Sequence, residues 1–360
     1  MSPPDAIHTP HAAPRADAGT VPPVLVEVTR GSMTESRHRG HAAVVDPSGR
    51  VVRAWGDVEA VIYPRSSIKP IQALPLVETG AAAAFGLGNV ELALACASHQ
   101  GEARHVEAVT AWLTRIGLTP DDLACGPQVP SGPAAARALF EAHGAPARVH
   151  NNCSGKHTGM LTTARHLGEP VDGYAALTHP VQQRVLGVFE AMCGLDLSDA
   201  PRGVDGCSLP VLGMPLGNLA LGMARFADPA DQPEARQQAV ARLRRAMAAE
   251  PFMVHGSDTF VTECMAATGE AVLVKGGAEG MFTAALPGLG LGVAVKIEDG
   301  AARGAEVAMA NILAGLGVFE DRAVAALAHW LTMPQRNWAG VSIGDVRPAG
   351  ALCGDGDHTH

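Results

Sequence analysis

Tyr63-Pro64-Arg65-Ser66-Ser67-Ile68-Lys69-Pro70 sets two serines, a lysine and two prolines ahead of an apolar run that continues to Leu76. Ser66 and Lys69 are three apart, so a helix would carry both on one face. Pro70 would break a helix interior but is tolerated in a first turn, where the amide hydrogen has no internal partner. The helix is therefore predicted to begin near Ser66, with the hydroxyl at the positive end of its dipole. A serine hydroxyl must lose its proton as it attacks, and a neutral lysine one turn away can take it. Burial or a second cation lowers an amine from its ordinary value of about 10.4 toward that neutral state. Alone, the Ser-x-x-Lys string also fits a capping serine followed by a solvated lysine.

Two further strings extend this pattern. Ala95-Cys96-Ala97-Ser98-His99-Gln100-Gly101-Glu102 ends an apolar run on a serine, ahead of a helix. Val274-Lys275-Gly276-Gly277-Ala278-Glu279-Gly280 ends a strand on a lysine before glycines. Each has a plainer use: Ser98 as a strand-end hydroxyl bonding backbone, Lys275 as a surface lysine. Together, serine, lysine, serine and lysine are the ingredients of penicillin-recognising hydrolases, whose motifs are S-x-x-K, S-D-N and K-T-G. This chain departs from them. Ser98 is not followed by Asp-Asn, and a glycine stands where the hydroxyl residue of the last motif is expected.

His150-Asn151-Asn152-Cys153-Ser154-Gly155-Lys156-His157 packs polar and nucleophilic groups before another apolar run, and Asp205-Gly206-Cys207-Ser208 does so later. Two cysteines with His and Asp nearby suit zinc, which favours thiolate and imidazole. Zinc fingers pair their cysteines closely in sequence, and this chain does not. Two other readings stand beside that one. Cys153 could be a catalytic thiol paired with His157 one turn on, or both cysteines are buried and inert.

Taken in order, Arg65-Ser66-Ser67-x-Lys69-Pro, Cys96-Ala-Ser98-His-x-Gly-Glu, Asn151-Asn-Cys153-Ser-Gly-Lys156-His157, Asp205-Gly-Cys207 and Lys275-Gly-Gly-Ala-Glu-Gly resemble the Rhizobium etli-type L-asparaginases, also called asparaginase II. The matches run from about Val24 to about Asn337. The resemblance implies an α+β fold like that of serine β-lactamases and serine-dependent glutaminases: an antiparallel sheet flanked by helices, with a helical subregion. It implies a homodimer and a small-molecule substrate, L-asparagine. Ser66 would attack the side-chain amide carbon, with Lys69 as proton acceptor and Ser98 and Lys275 as a second pair that relays protons. It also implies zinc, as an accessory ion, on Cys153, Lys156 and Cys207. An ammonium has no lone pair, so Lys156 would have to lose its proton. Arg65, His157 and Asp205 lie in the matched strings as substrate contacts, Arg65 for the carboxylate and Asp205 for the amine. Two other functions compete: a β-lactamase or peptidase on the same scaffold, and a non-catalytic zinc-binding protein.

The rest of the chain bounds these readings. Its 360 residues are 47% hydrophobic and 18% charged, as in a well-buried enzyme. A net charge of −9 with no Lys/Arg run argues against a nucleic-acid partner. The longest apolar stretches, such as 284–297, are too short and too interrupted for a membrane span. Seven cysteines, an odd number without a CxxC pair, and no export-signal pattern point to a reducing, cytoplasmic setting. Residues 1–23 read as a disordered tail, 24–347 as the enzyme domain, possibly in two lobes, and 348–360 as a flexible C-terminal tail. Strands are predicted over 24–29, 40–46, 50–55, 271–275 and 290–298, with a Gly-rich turn between the last two. Helices are predicted over 103–116, 178–192, 231–250 and 306–316. Residues 90–97 fit either a strand or a buried helical turn. Hairpins first, helices in the middle and hairpins late fit an α+β order.

Overall fold

Val24–Arg30 and Met33–Val45 form a hairpin around Gly31, whose φ of 56° is the left-handed conformation that such a turn asks of glycine. In the computed structural model, which describes residues 21–353, this hairpin lies within an antiparallel sheet of eight strands. Across the sheet run Met333–Arg336, Ser342–Pro348, Val24–Arg30, Met33–Val45, Leu291–Ile297, Met281–Leu286 and Leu273–Gly277, while Val51–Trp55 pairs separately with Met33–Val45. The architecture is α+β, an antiparallel sheet flanked by helices.

Three predicted elements change. The expected hairpin over 40–55 forms, but its first strand starts at Met33. The polar stretch Met33–Arg39 hides a strand because its partner, Val24–Arg30, supplies the buried side. The Gly-rich turn expected between the late strands contains a whole strand, Met281–Leu286, buried at all six positions. A strand covered on both faces shows no polar alternation to reveal it. Residues 90–97 resolve as the helix Asn89–Ala95.

The expected domain end at 347 falls inside ordered chain. Pro348 pairs with Val26, and a short helix follows over Gly350–Cys353. The remainder of that expected tail, and residues 1–20 of the N-terminal one, lie outside the described residues.

Helices cover the sheet because glycines let their backbones approach. A side chain at Gly292, in the strand Leu291–Ile297, would sit 2.1 Å from the carbonyl of Ala220 in the helix Leu216–Ala227. The helices Asn89–Ala95, Ala103–Arg115, Ser154–Leu167, Pro180–Cys193 and Glu234–Ala249 form the helical subregion. Gly155 brings two of them together: a Cβ there would lie 2.4 Å from the carbonyl of Leu94. That approach fixes the start of the helix bearing Lys156 against the segment that leads to Ser98. Among the described residues no helix is long and apolar enough to cross a membrane.

Candidate active site

The turn at Ser66 begins as predicted. A 3₁₀ segment, Arg65–Ile68, leads into Lys69–Gln72 with Pro70 in its first turn. Arg65 has a φ of 50°, a left-handed backbone that a non-glycine residue rarely adopts. Neighbouring bonds hold it there: Ser67 Oγ donates to Pro64 O at 2.6 Å, and Thr283 Oγ1 donates to Ser67 O at 2.9 Å. Gly277 lets the edge strand lie against this turn. A Cβ there would meet Ser67 N at 3.0 Å and Pro64 O at 3.2 Å. The same strand delivers Lys275, two residues earlier.

Lys69 and Lys275 are both fully buried and meet on one hydroxyl. Lys69 Nζ is 2.9 Å from Ser98 Oγ and donates to Ala97 O at 2.6 Å. Lys275 Nζ is 2.8 Å from the same Ser98 Oγ and donates to Gly276 O at 2.7 Å. The pairing differs from the expected one in a single respect. No hydrogen bond joins Ser66 to Lys69; both amines turn to Ser98, and Ser66 remains on the cavity wall. Burial lowers the Lys69 amine; the Cys153 charge opposes it and the Lys156 charge adds to it, with the net shift downward. Burial and then the Lys69 charge bring Lys275 well below the ordinary lysine value. Both amines are thereby shifted toward the proton-accepting form.

The segments carrying Ser98 and Cys153 are joined by His99. Its backbone N–H donates to Asn152 O at 3.2 Å. Its Nδ1 accepts from Gly101 N–H at 3.1 Å, so the proton lies on Nε2, which donates to Ser154 Oγ at 2.9 Å.

Cys153, Lys156 and Cys207 converge in a second buried cluster. Lys156 Nζ is 3.2 Å from Cys207 Sγ. A hydrogen bond from Cys207, assisted by the Lys156 and Lys69 charges, brings the Cys153 thiol well below its ordinary value, and Cys207 is raised in turn. Burial alone would depress Lys156. The Cys153 thiolate first, then the Cys207 sulfur and the Asp205 carboxylate, outweigh it and raise the amine. Among the described residues no group of three or more His, Cys, Asp or Glu side chains could hold a metal ion. Here the third donor is an amine. Two sulfurs, one of them thiolate-like, and one nitrogen fit the donor chemistry of zinc once Lys156 gives up its proton.

Cys153 and Cys207 border a cavity of about 360 Å³ whose wall also includes Ser66, Arg65 and Asp205, while Lys69, Ser98 and Lys275 are not among its lining residues. Arg65 and Asp205, expected to bind opposite ends of a substrate, also bind each other. Arg65 Nε and Nη2 reach Asp205 Oδ1 at 2.9 and 2.8 Å, and Gly206 N–H adds a third bond to that oxygen at 2.8 Å. Asp205 Oδ2 has only a 3.8 Å thiol contact from Cys207. Burial pushes the Asp205 carboxyl up, but Lys156 and Arg65 overcome it and hold the group below the usual carboxylate range. His157 does not line the cavity. Tyr174 OH accepts from Ala124 N–H at 2.9 Å and shares a hydrogen bond with His157 Nδ1 at 2.6 Å. The ring therefore fastens the Ser154–Leu167 helix to a loop behind the wall.

Residues 26–348 match the family described as L-asparaginase II. The chain belongs to that family. No curated protein sequence matches it. Among solved structures it is similar to a β-lactamase from Mycobacterium bovis, at 15% identity over 81% of this chain and 94% of that one, with a TM-score of 0.37. It is similar to Mglu in its native form, at 15% identity over 80% and 67% of the two chains and a TM-score of 0.42. It is also similar to a LovD6 mutant of simvastatin synthase from Aspergillus terreus, at 12% identity over 72% and 86%, with a TM-score of 0.37.

This asparaginase II family member has site groups that the motifs did not single out. Gln128, Asn152 and Ala278 also line the cavity. Asn152 stood in a quoted string, whereas Gln128 lies in an aperiodic stretch with no local signal. Among the described residues, the backbone N–H groups of Ser66 and Ala278 have no acceptor within the protein. Two free amides on the wall beside a serine are suited to receive a negative oxygen.

Proposed function

We propose that the chain is an L-asparagine amidohydrolase with Ser66 as nucleophile. One observation carries this: Ser98 Oγ is held between two buried lysines whose amines are lowered, and the edge strand that delivers Lys275 packs on the turn that puts Ser66 on the cavity wall. The zwitterionic end of the substrate docks on the Arg65–Asp205 pair, its ammonium on Asp205 Oδ2 and its carboxylate on Arg65. Ser66 Oγ then attacks the side-chain amide carbon, and its proton passes to Lys69. The oxyanion rests on the amides of Ser66 and Ala278. The C–N bond breaks as Lys69 returns the proton to departing ammonia, leaving an ester on Ser66. Water attacks that ester, Lys69 takes its proton, and aspartate leaves as Ser66 regains a hydrogen. Ser98 passes protons between Lys69 and Lys275, so the neutral amine can be restored on either side.

Cys153, Lys156 and Cys207 would hold a zinc ion, which when bound would polarise and orient groups at the cavity wall. The chain's own residues supply the nucleophile and the base, so the ion is accessory. Seven free cysteines, six of them buried, support a reducing, cytoplasmic location. A homodimer belongs to the same proposal, and its mass in solution tests it.

Ammonia release from L-asparagine tests the activity. Ser66→Ala should lower kcat by at least about a thousandfold. An alanine variant of undiminished activity would place the nucleophile elsewhere. Metal analysis of wild type and Cys207→Ser tests the ion: the variant should lose zinc. Loss of zinc with ammonia release retained would support the accessory role.

A further inference from the structure

The geometry points to Gln128 as a residue that reads the substrate, its side-chain N–H groups donating to the α-carboxylate of the bound amino acid. This rests on the amidohydrolase proposed above and adds a specificity residue to it.

Gln128 lies between the 3₁₀ turn Pro120–Asp122 and the helix Pro133–Glu141, on a segment without regular structure. Polar bonds fasten that segment to the Cys153 motif. Asn151 Nδ2 donates to Gly126 O at 2.9 Å, and Arg148 Nη1 donates to Cys125 O at 3.3 Å. Asn152 N–H donates to Gln128 Oε1 at 3.2 Å. This last bond decides which end of the Gln128 amide faces where. An N–H must meet the oxygen, so the NH₂ group is the end left over. Among the described residues it has no acceptor, and Gln128 lines the same cavity as Ser66.

The other donors on the wall show what it is for. Arg65 spends Nε and Nη2 on Asp205 Oδ1, leaving Nη1 for a ligand. Asp205 Oδ2 is open to an ammonium. The free amides of Ser66 and Ala278 belong to the reacting carbonyl. A carboxylate has two oxygens, and the remaining guanidinium nitrogen serves one of them. Gln128 is the neutral donor for the second. Its neutrality also fits: a second cation here would compete with Arg65 for Asp205.

Gln128→Glu keeps an oxygen for Asn152 N–H but replaces the donors with an anion. Gln128→Met removes the donors without adding charge but also takes the oxygen from Asn152 N–H, so a loss common to both variants is the one assigned to the missing donors. Both are measured on L-asparagine and on 3-aminopropanamide, the same molecule without its α-carboxylate. On asparagine, KM should rise at least about tenfold in both variants, with kcat within about twofold. On 3-aminopropanamide neither variant should differ from wild type by more than about twofold. Calorimetric binding of L-aspartate, which needs no turnover, should weaken by the same factor as KM. A penalty equal on both substrates, or none on asparagine while wild type is active, overturns the assignment of Gln128 alone. A folded wild type that neither releases ammonia from asparagine nor binds aspartate breaks the parent proposal, and this one with it.

Discussion

Lys69 and Lys275 share with Lys156 a complete burial of the amine, yet their protons behave in opposite ways. The first two face each other across a serine hydroxyl and backbone carbonyls. The Cys153 sulfur offsets part of the lost water at both amines, but not enough, so burial lowers both. Lys156 faces two cysteine sulfurs and stands near Asp205. Opposite charge outweighs the same burial and raises it. Company, rather than depth, decides whether a buried lysine is a base or a counter-ion. The buried interior thus has one side where amines are lowered and an ion-paired side where one is raised.

The largest test of this contrast is Lys69→Met, which keeps the bulk and removes the base. Ammonia release should fall at least about a thousandfold. Melting temperature should hold or rise, because a buried and poorly compensated amine has been replaced by an apolar chain. An active Lys69→Met enzyme would end the case for a lysine base. Next in size is removal of both thiols on the other side. Cys153→Ala with Cys207→Ala strips Lys156 of its counter-charges and should cost about 3 kcal/mol in urea unfolding. The same pair of changes should have far less effect if Lys156 were already neutral.

The pH profile separates the two sides with no mutation. Protonated Lys69 cannot accept from Ser66, so activity is present above its lowered value and lost as pH falls through it. kcat/KM should level off below the ordinary lysine value of about 10.4. A rate still climbing at that pH would mean an unperturbed amine. Stability follows the same sign. The unfolded chain holds the Lys69 and Lys275 protons more tightly than the folded one, so stability grows as pH rises from the lowered values toward the ordinary one. The smallest effect is expected from Gly277→Ala, whose Cβ would press on Ser67 N and Pro64 O. It should cost about 1 kcal/mol in stability and lower kcat with little change in KM.

Much of the site was legible because its residues come in short strings with unusual content. Ser66, Lys69, Ser98 and Lys275 could be named from spacing and resemblance, and three of them do meet at one point. What spacing could not give was the partner of each amine. A three-residue interval suggested Ser66 and Lys69, but the side chain of Lys69 runs inward to a hydroxyl 29 positions away. His157 misled for a related reason. It follows Lys156 directly, and one step along a helix turns a side chain by more than a quarter of a circle, here onto Tyr174. Gln128 was invisible because its role comes from a loop path fixed by Arg148, Asn151 and Asn152. In the sheet, Met281–Leu286 escaped notice because burial on both faces erased its period.

Ser98 and Lys275 are brought together across 177 positions, and Thr283 reaches Ser67 across 216. A ribosome has released Lys69 and Ser98 long before the amine that completes the trio exists. Until the edge strand Leu273–Gly277 docks, Ser98 has only one of its two lysine partners. Copies that stop before this strand therefore lack the Lys69–Ser98–Lys275 cluster, which comes into being only in molecules whose sheet has closed.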